Sequence, residues 1–209
     1  MRLGVYFFSW LALFLSRQYL IHPYCNELTC QAGSLWAFDQ FSLYKKSRFA
    51  DDFSSWTQNL SGVFALLITM YCAYPSIRKV LHFVKVLFSI TCINGFFIEL
   101  AHAIVQRPRP FVYTGLTEHA ANFIDYTSFY SGHTSFSAAM CTAACIIMYK
   151  NKPSKLGGLF VITISLGLIL VTAYCRIMAG RHFLSDTVAG ALAGCTIAWL
   201  HSAQILLKQ

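Results

Sequence analysis

The sequence predicts an all-α fold: an integral membrane bundle of six transmembrane helices, with an interfacial amphipathic segment between the first and the second. Three observations carry that expectation. Of 209 residues 56% are hydrophobic and only 11% charged, whereas a soluble domain is about a quarter charged. Apolar stretches recur at about Leu3 to Ile21, Leu60 to Tyr74, Val80 to Val105, Thr134 to Tyr149, Leu156 to Tyr174 and Leu184 to Leu207, each approaching the ~20 residues that a spanning helix needs. The polar residues with chemical potential, among them Arg107, Arg109, His133, Arg176, His182 and Asp186, gather where those stretches begin or end.

Arg2 precedes the first stretch, as in a secretory signal, but no small-x-small cleavage site follows before the bulky Tyr19 to Tyr24 region, so a retained helix is expected. The polar stretch from His22 to Asn59 contains Asp39, Lys45, Lys46, Arg48, Asp51 and Asp52. Its aromatic residues Trp36, Phe38, Phe41, Tyr44, Phe49, Phe53 and Trp56 suit headgroup level. It reads either as a surface segment that guides a lipid to a site or as a connector without a catalytic part. The second and fourth stretches are short, so those helices should borrow flanking residues or sit in a thinned bilayer. No repeat, low-complexity run or linker divides the chain, which reads as one domain over 1–209.

A net charge of +8 would suggest nucleic acid in a soluble chain. Here the basic residues divide between loops and motifs, which favours anionic lipid as partner and argues against nucleic acid. Cys72, Cys92, Cys141, Cys145, Cys175 and Cys195 fall in or beside apolar helices and read as small core residues. Cys25 and Cys30 share one loop, where an oxidising compartment would permit a bridge. Cys141 and Cys145 have no histidine or carboxylate near enough in sequence to complete a tetrahedral set, so neither metal nor cofactor is expected.

With alternating spans, the end of the third helix, the start of the fourth, the end of the fifth and the start of the sixth all lie on one side of the membrane. The other side holds Arg2, Arg78, Lys79, Lys150, Lys152, Lys155 and Lys208 with no acidic residue, which the positive-inside rule assigns to the cytoplasm. A raw count of Lys and Arg ties. It tips only when Arg107, Arg109, Arg176 and Arg181 are set aside as belonging to a site. That site would face outward, in a bacterial inner membrane on the periplasmic side.

Charged groups and imidazoles are costly in lipid, and those at these junctions supply what phosphoryl transfer through histidine requires. His182 is the candidate nucleophile, with Asp186 four residues on, on the same helical face, to hold its second ring nitrogen. His133 is the candidate general acid. It follows Ser131-Gly132 at a helix start, where free backbone N–H groups can bind phosphate oxygens. Arg109 and Arg176 would neutralise the equatorial oxygens with their forked donors. Arg107 and Arg181 lie beside these residues and could touch a headgroup or anchor the chain at the interface. His22, His82, His119 and His201 have no partner spacing that suggests chemistry.

Arg109-Pro110, Ser131-Gly132-His133 and Arg176-x5-His182-x3-Asp186 together resemble the three signature motifs of the type-2 phosphatidate phosphatase superfamily, over roughly Asp39 to the C-terminus. The membrane members of that superfamily remove phosphate from lipid phosphates, and its soluble relatives are vanadium haloperoxidases. The resemblance implies that His182 is the nucleophile, Asp186 its partner and His133 the general acid. Arg109, Arg176, Ser131 and Gly132 would form the phosphate cradle. Three positions depart from the pattern: His102 replaces a lysine, Tyr130 a proline and Cys175 a serine. His102 matters most, because a phosphate ligand that titrates near neutrality differs from a permanently charged one. Glu99, His102 and Gln106 share a face of the third helix, so a paired, partly protonated His102 is expected to join the cradle. The expected enzyme hydrolyses a phosphate or pyrophosphate group of a membrane lipid without metal, through a phosphohistidine. The alternative is a phosphotransferase that passes the same phosphoryl group to a lipid acceptor.

Overall fold

The structure is a computed structural model, which describes residues 2–26, 29–115, 121–151 and 154–206. His119, Lys152, Lys208 and the side chain of Arg2 lie outside the described residues. Among the described residues there are helices and turns and no strand. The helices are α1 (Arg2–Leu20), a single-turn α2 (Ala37–Gln40), α3 (Arg48–Ala73), α4 (Ile77–Val105), α5 (Gly132–Asn151), α6 (Lys155–Met178) and α7 (Leu184–Leu206). Six of them are long and follow the six apolar stretches. Two stretches, within Ile77–Tyr113 and over Lys155–Met178, are long and apolar enough to cross a membrane.

Serine caps start three of the long helices. Ser47, Ser76 and Ser154 each accept a hydrogen bond from the backbone N–H three residues on, at Ala50, Lys79 and Gly157, which satisfies one donor that the first helical turn leaves open. Capping at Ser47 begins α3 well before Leu60, where apolarity alone had placed it. Its first turns are polar because they face other side chains inside the molecule. The short fourth stretch gains residues at both ends, giving α5 twenty residues.

Helix α5 packs against α3, α4, α6 and α7. Its buried surface is mostly small residues, among them Ala138, Ala139, Ala143 and Ala144, with Met140, Ile147 and Met148 as the large ones. Across from it, Gly190 and Gly194 lie one turn apart on α7. A Cβ at either would collide with the carbonyl oxygen of Ser131 or Ser135, so glycine is what lets the two backbones meet, as in small-xxx-small packing between membrane helices. Buried hydroxyls tie the bundle further: Ser135 Oγ donates to Asn94 Oδ1 at 2.7 Å, and Thr172 Oγ1 to Thr57 Oγ1 at 2.8 Å. On α6 the polarity is reversed relative to a soluble protein. Leu159, Leu166 and Leu170 are exposed, whereas Ser165 and Thr172 are buried, as expected where lipid, not water, is the solvent.

The connections that matter meet at one end. Ser128 N–H donates to the Arg107 carbonyl at 3.0 Å, Ser131 N–H to the Asp186 carbonyl at 3.1 Å, and Ser47 N–H to the Met178 carbonyl at 3.1 Å. These bonds join the α4–α5 connection, the start of α7, the end of α6 and the segment ahead of α3. In that segment Cys25 and Cys30 are bridged. Trp36, Phe38, Phe41, Tyr44, Phe49, Phe53 and Trp56 are all exposed around the same end.

Candidate active site

The loop from Ala179 to Phe183 places His182 beneath the end of the bundle, 2% exposed. Its Nδ1 lies 2.8 Å from the carbonyl oxygen of Ser128. A carbonyl can only accept, so Nδ1 carries the proton and Nε2 keeps its lone pair. Burial, and then the charges of Arg176 and Arg109, hold the imidazole well below the ordinary histidine value. The ring is therefore neutral at physiological pH, as a nucleophile must be.

Asp186 does not make the direct bond to His182 that the spacing suggested. The two are 4.0 Å apart between Nδ1 and Oδ2, beyond hydrogen-bond reach. Asp186 Oδ2 instead accepts from Ser128 Oγ at 2.6 Å and from the Phe183 backbone N–H at 2.9 Å. It thus fixes the residue whose carbonyl holds the ring and the residue that follows the ring. Its other oxygen meets Arg107 Nη1 at 2.5 Å.

Arg107 continues to Asp39, which is completely buried, with Nη2 2.8 Å from Oδ2. Asp39 also accepts from Ser185 N–H at 3.0 Å and Ser185 Oγ at 2.7 Å. Burial alone would lower the Arg107 pKa, but the carboxylates of Asp186 and Asp39 outweigh it and raise it. The interfacial segment is thereby tied to the start of α7. Sequence reasoning treated Asp39 as one polar residue among several and Arg107 as a headgroup contact or anchor. Their pairing spans three elements far apart in sequence and leaves no local spacing signal.

Among the described residues, Arg109 has no acidic partner at hydrogen-bond distance. Its Nη2 donates to Thr127 Oγ1 at 3.0 Å, and its buried Nε has no partner. Burial, with the repulsion of Arg176 and Arg181, lowers its pKa to about 9. It remains charged at neutral pH and would be stabilised by an arriving anion. Arg176 donates to Asp51 Oδ1 at 2.7 Å and to Ser54 Oγ at 3.2 Å, and Arg181 holds the other oxygen of Asp51 at 2.7 and 3.0 Å. The first turns of α3 therefore form part of this site, which the apolarity pattern did not anticipate.

His133 stands on the first turn of α5 with Nε2 3.4 Å from Ser55 Oγ. It is largely buried, and Arg176, Asp51 and Arg109 are among the charges that act on it, so α5 brings it to the same cluster. Ser131 is buried, its Oγ paired with Thr134 Oγ1 at 3.0 Å, and Gly132 begins the helix. His102 has Nε2 3.3 Å from the carbonyl of Tyr130, the residue before Ser131, and Nδ1 3.7 Å from Glu99 Oε2. Gln106, also on that face, binds the Leu20 carbonyl and the His22 N–H instead. Among the described residues no group of three or more His, Cys, Asp or Glu side chains could hold a metal ion.

A buried neutral histidine thus stands near Arg109, which has no acidic partner at hydrogen-bond distance among the described residues, and near Arg176, which shares Asp51 with Arg181, with a second histidine in the same cluster. Comparison with known proteins gives the class: the sequence profile of the PAP2 superfamily matches residues 79–208, and the chain belongs to that superfamily. It is a membrane protein of the phosphatase class. Among solved structures it is similar to the transmembrane PAP2 type phosphatidylglycerolphosphate phosphatase from Bacillus subtilis, at 16% identity over 97% of this chain and 98% of that one, with a TM-score of 0.57. That likeness shows a shared fold. No protein of curated function matches in sequence.

Proposed function

We propose that the chain spans the membrane with all six long helices and hydrolyses a phosphate or pyrophosphate group from a lipid at the outward face. The supporting observation is the state of His182: Nδ1–H is engaged by Ser128, Nε2 is left for attack, and the neighbouring charges are Arg176 and Arg109. Nε2 attacks the terminal phosphorus, the bond from that phosphorus to the oxygen of the lipid alcohol, or of the inner phosphate in a diphosphate, breaks, and His133 delivers a proton to that oxygen. Arg109, Arg176 and the N–H groups at the start of α5 hold the equatorial oxygens. Water then cleaves the phosphohistidine, giving up its proton to His133. The exposed aromatic belt from Trp36 to Trp56 suits headgroup depth, where such a phosphate lies.

The test is a panel of lipid phosphates: phosphatidate, phosphatidylglycerophosphate, a polyprenyl diphosphate and a lipid A-type phosphate. Each is incubated with purified protein in detergent and a chelator. Release of inorganic phosphate from one or more is the expected result. Release only after a divalent ion is restored would overturn the metal-free scheme, and transfer of labelled phosphate to lipid would make the protein a phosphotransferase.

A further inference from the structure

Beside the cradle lies a second basic recess that the hydrolytic chemistry leaves unused. It is a cavity of about 260 Å³ whose walls include Lys45, Lys46, Ser47, Arg48, Asp51 and Arg181. Four cations against one carboxylate leave a net lining charge of +3. The one carboxylate is already shared by Arg176 and Arg181. Among the described residues, Lys46 and Arg48 have no ion pair.

The recess is built into the fold. Gly180, two residues before His182, has φ +68°, and a Cβ there would collide with the carbonyl oxygen of Lys45. Only glycine accepts both that conformation and that approach. Ser47 N–H bonds to the Met178 carbonyl at 3.1 Å, and its hydroxyl caps α3 at Ala50. The Lys45–Arg48 segment is therefore held against the turn that carries Arg181 and His182. Asp51 lines the recess and carries Arg176 on one oxygen and Arg181 on the other, which links the recess to the cradle.

We propose that this recess binds a second phosphate group carried by the same lipid, so that substrates with two phosphoryl groups are preferred over simple monophosphates. The proposal rests on the phosphatase reading. Lysine as a point charge and arginine as a fork are the usual phosphate donors. The second group could be the α-phosphate of a lipid diphosphate, which stays on the lipid when the terminal phosphate leaves, or the phosphodiester of a phosphatidylglycerophosphate.

The variant K46Q/R48Q tests it, since both side chains are exposed. Substrates are compared in pairs of equal tail: farnesyl diphosphate with farnesyl monophosphate, and phosphatidylglycerophosphate with phosphatidate. KM should rise about tenfold for the two-phosphate member of at least one pair, the effect of one lost charge-assisted contact. It should stay unchanged for the monophosphates, and the affected pair identifies the source of the second group. Equal shifts for both members of each pair would overturn the proposal. Should wild type turn over none of the four, the phosphatase reading fails. Calorimetric binding of inorganic pyrophosphate against orthophosphate then decides the recess. Preference for pyrophosphate in wild type that the variant loses supports it, and equal affinities contradict it.

Discussion

The carbonyl oxygen of Ser128 stands 2.8 Å from His182 Nδ1, while the carboxylate of Asp186, four residues further on, stands 4.0 Å away. The peptide oxygen therefore sets the tautomer, and the carboxylate works one step removed by fixing Ser128 and Phe183. Asp186 is in turn held by Arg107, which the buried Asp39 holds from its other side. His182 is positioned by a chain of contacts that starts in the interfacial segment.

The two arginines of the Arg107-Pro108-Arg109-Pro110 segment should therefore separate in effect. Arg107→Ala leaves two buried carboxylates unpaired and should cost about 3–5 kcal/mol of stability, with Asp39→Ala close behind. Both should appear as lowered Tm in detergent. Arg109→Ala should leave Tm almost unchanged and reduce kcat/KM by about 10²–10³, the loss seen when one donor to developing charge is removed. Equal Tm losses for Arg107→Ala and Arg109→Ala would show that the roles have been divided wrongly.

The parts legible in the sequence were those with a local signature. Long apolar runs gave the six long helices, and Arg176-x5-His182-x3-Asp186 with Ser131-Gly132-His133 gave residues that the fold brings together. Three contributions were hidden for one physical reason, that they are pairings between distant elements. Asp39 with Arg107, Asp51 with Arg176 and Arg181, and Ser128 with His182 each join residues dozens of positions apart. The early start of α3 was hidden too, because a polar helical face turned inward towards arginines carries no apolar period.

Burial and the nearby guanidiniums also predict the titration of His182. An unperturbed histidine is half protonated at about pH 6.5. His182 is held well below that, so NMR of the ¹⁵N-labelled ring should show a neutral, Nδ1-protonated imidazole at about pH 6, where a free histidine is mostly charged. An imidazolium signal for His182 under those conditions would contradict the electrostatic picture.

His102 is aimed at the Tyr130 carbonyl, immediately before Ser131, and so should act by steadying that turn. Its replacement by the superfamily's usual lysine then changes no phosphate ligand. The alkaline limbs of kcat/KM for wild type and His102→Lys should superimpose. A flatter limb in the lysine variant would mean that a protonated His102 binds phosphate after all.

The central claim is covalent, and trapping the intermediate tests it most directly. With ³²P-labelled substrate and His133→Ala, in which the proton donor is missing and turnover should slow by about 10²–10⁴, acid-labile, base-stable label should accumulate on the protein. Peptide mapping should place it on His182, and the double variant His133→Ala/His182→Ala should carry none. Undiminished phosphate release by the single variant His182→Ala, or label on any other residue, would contradict the account.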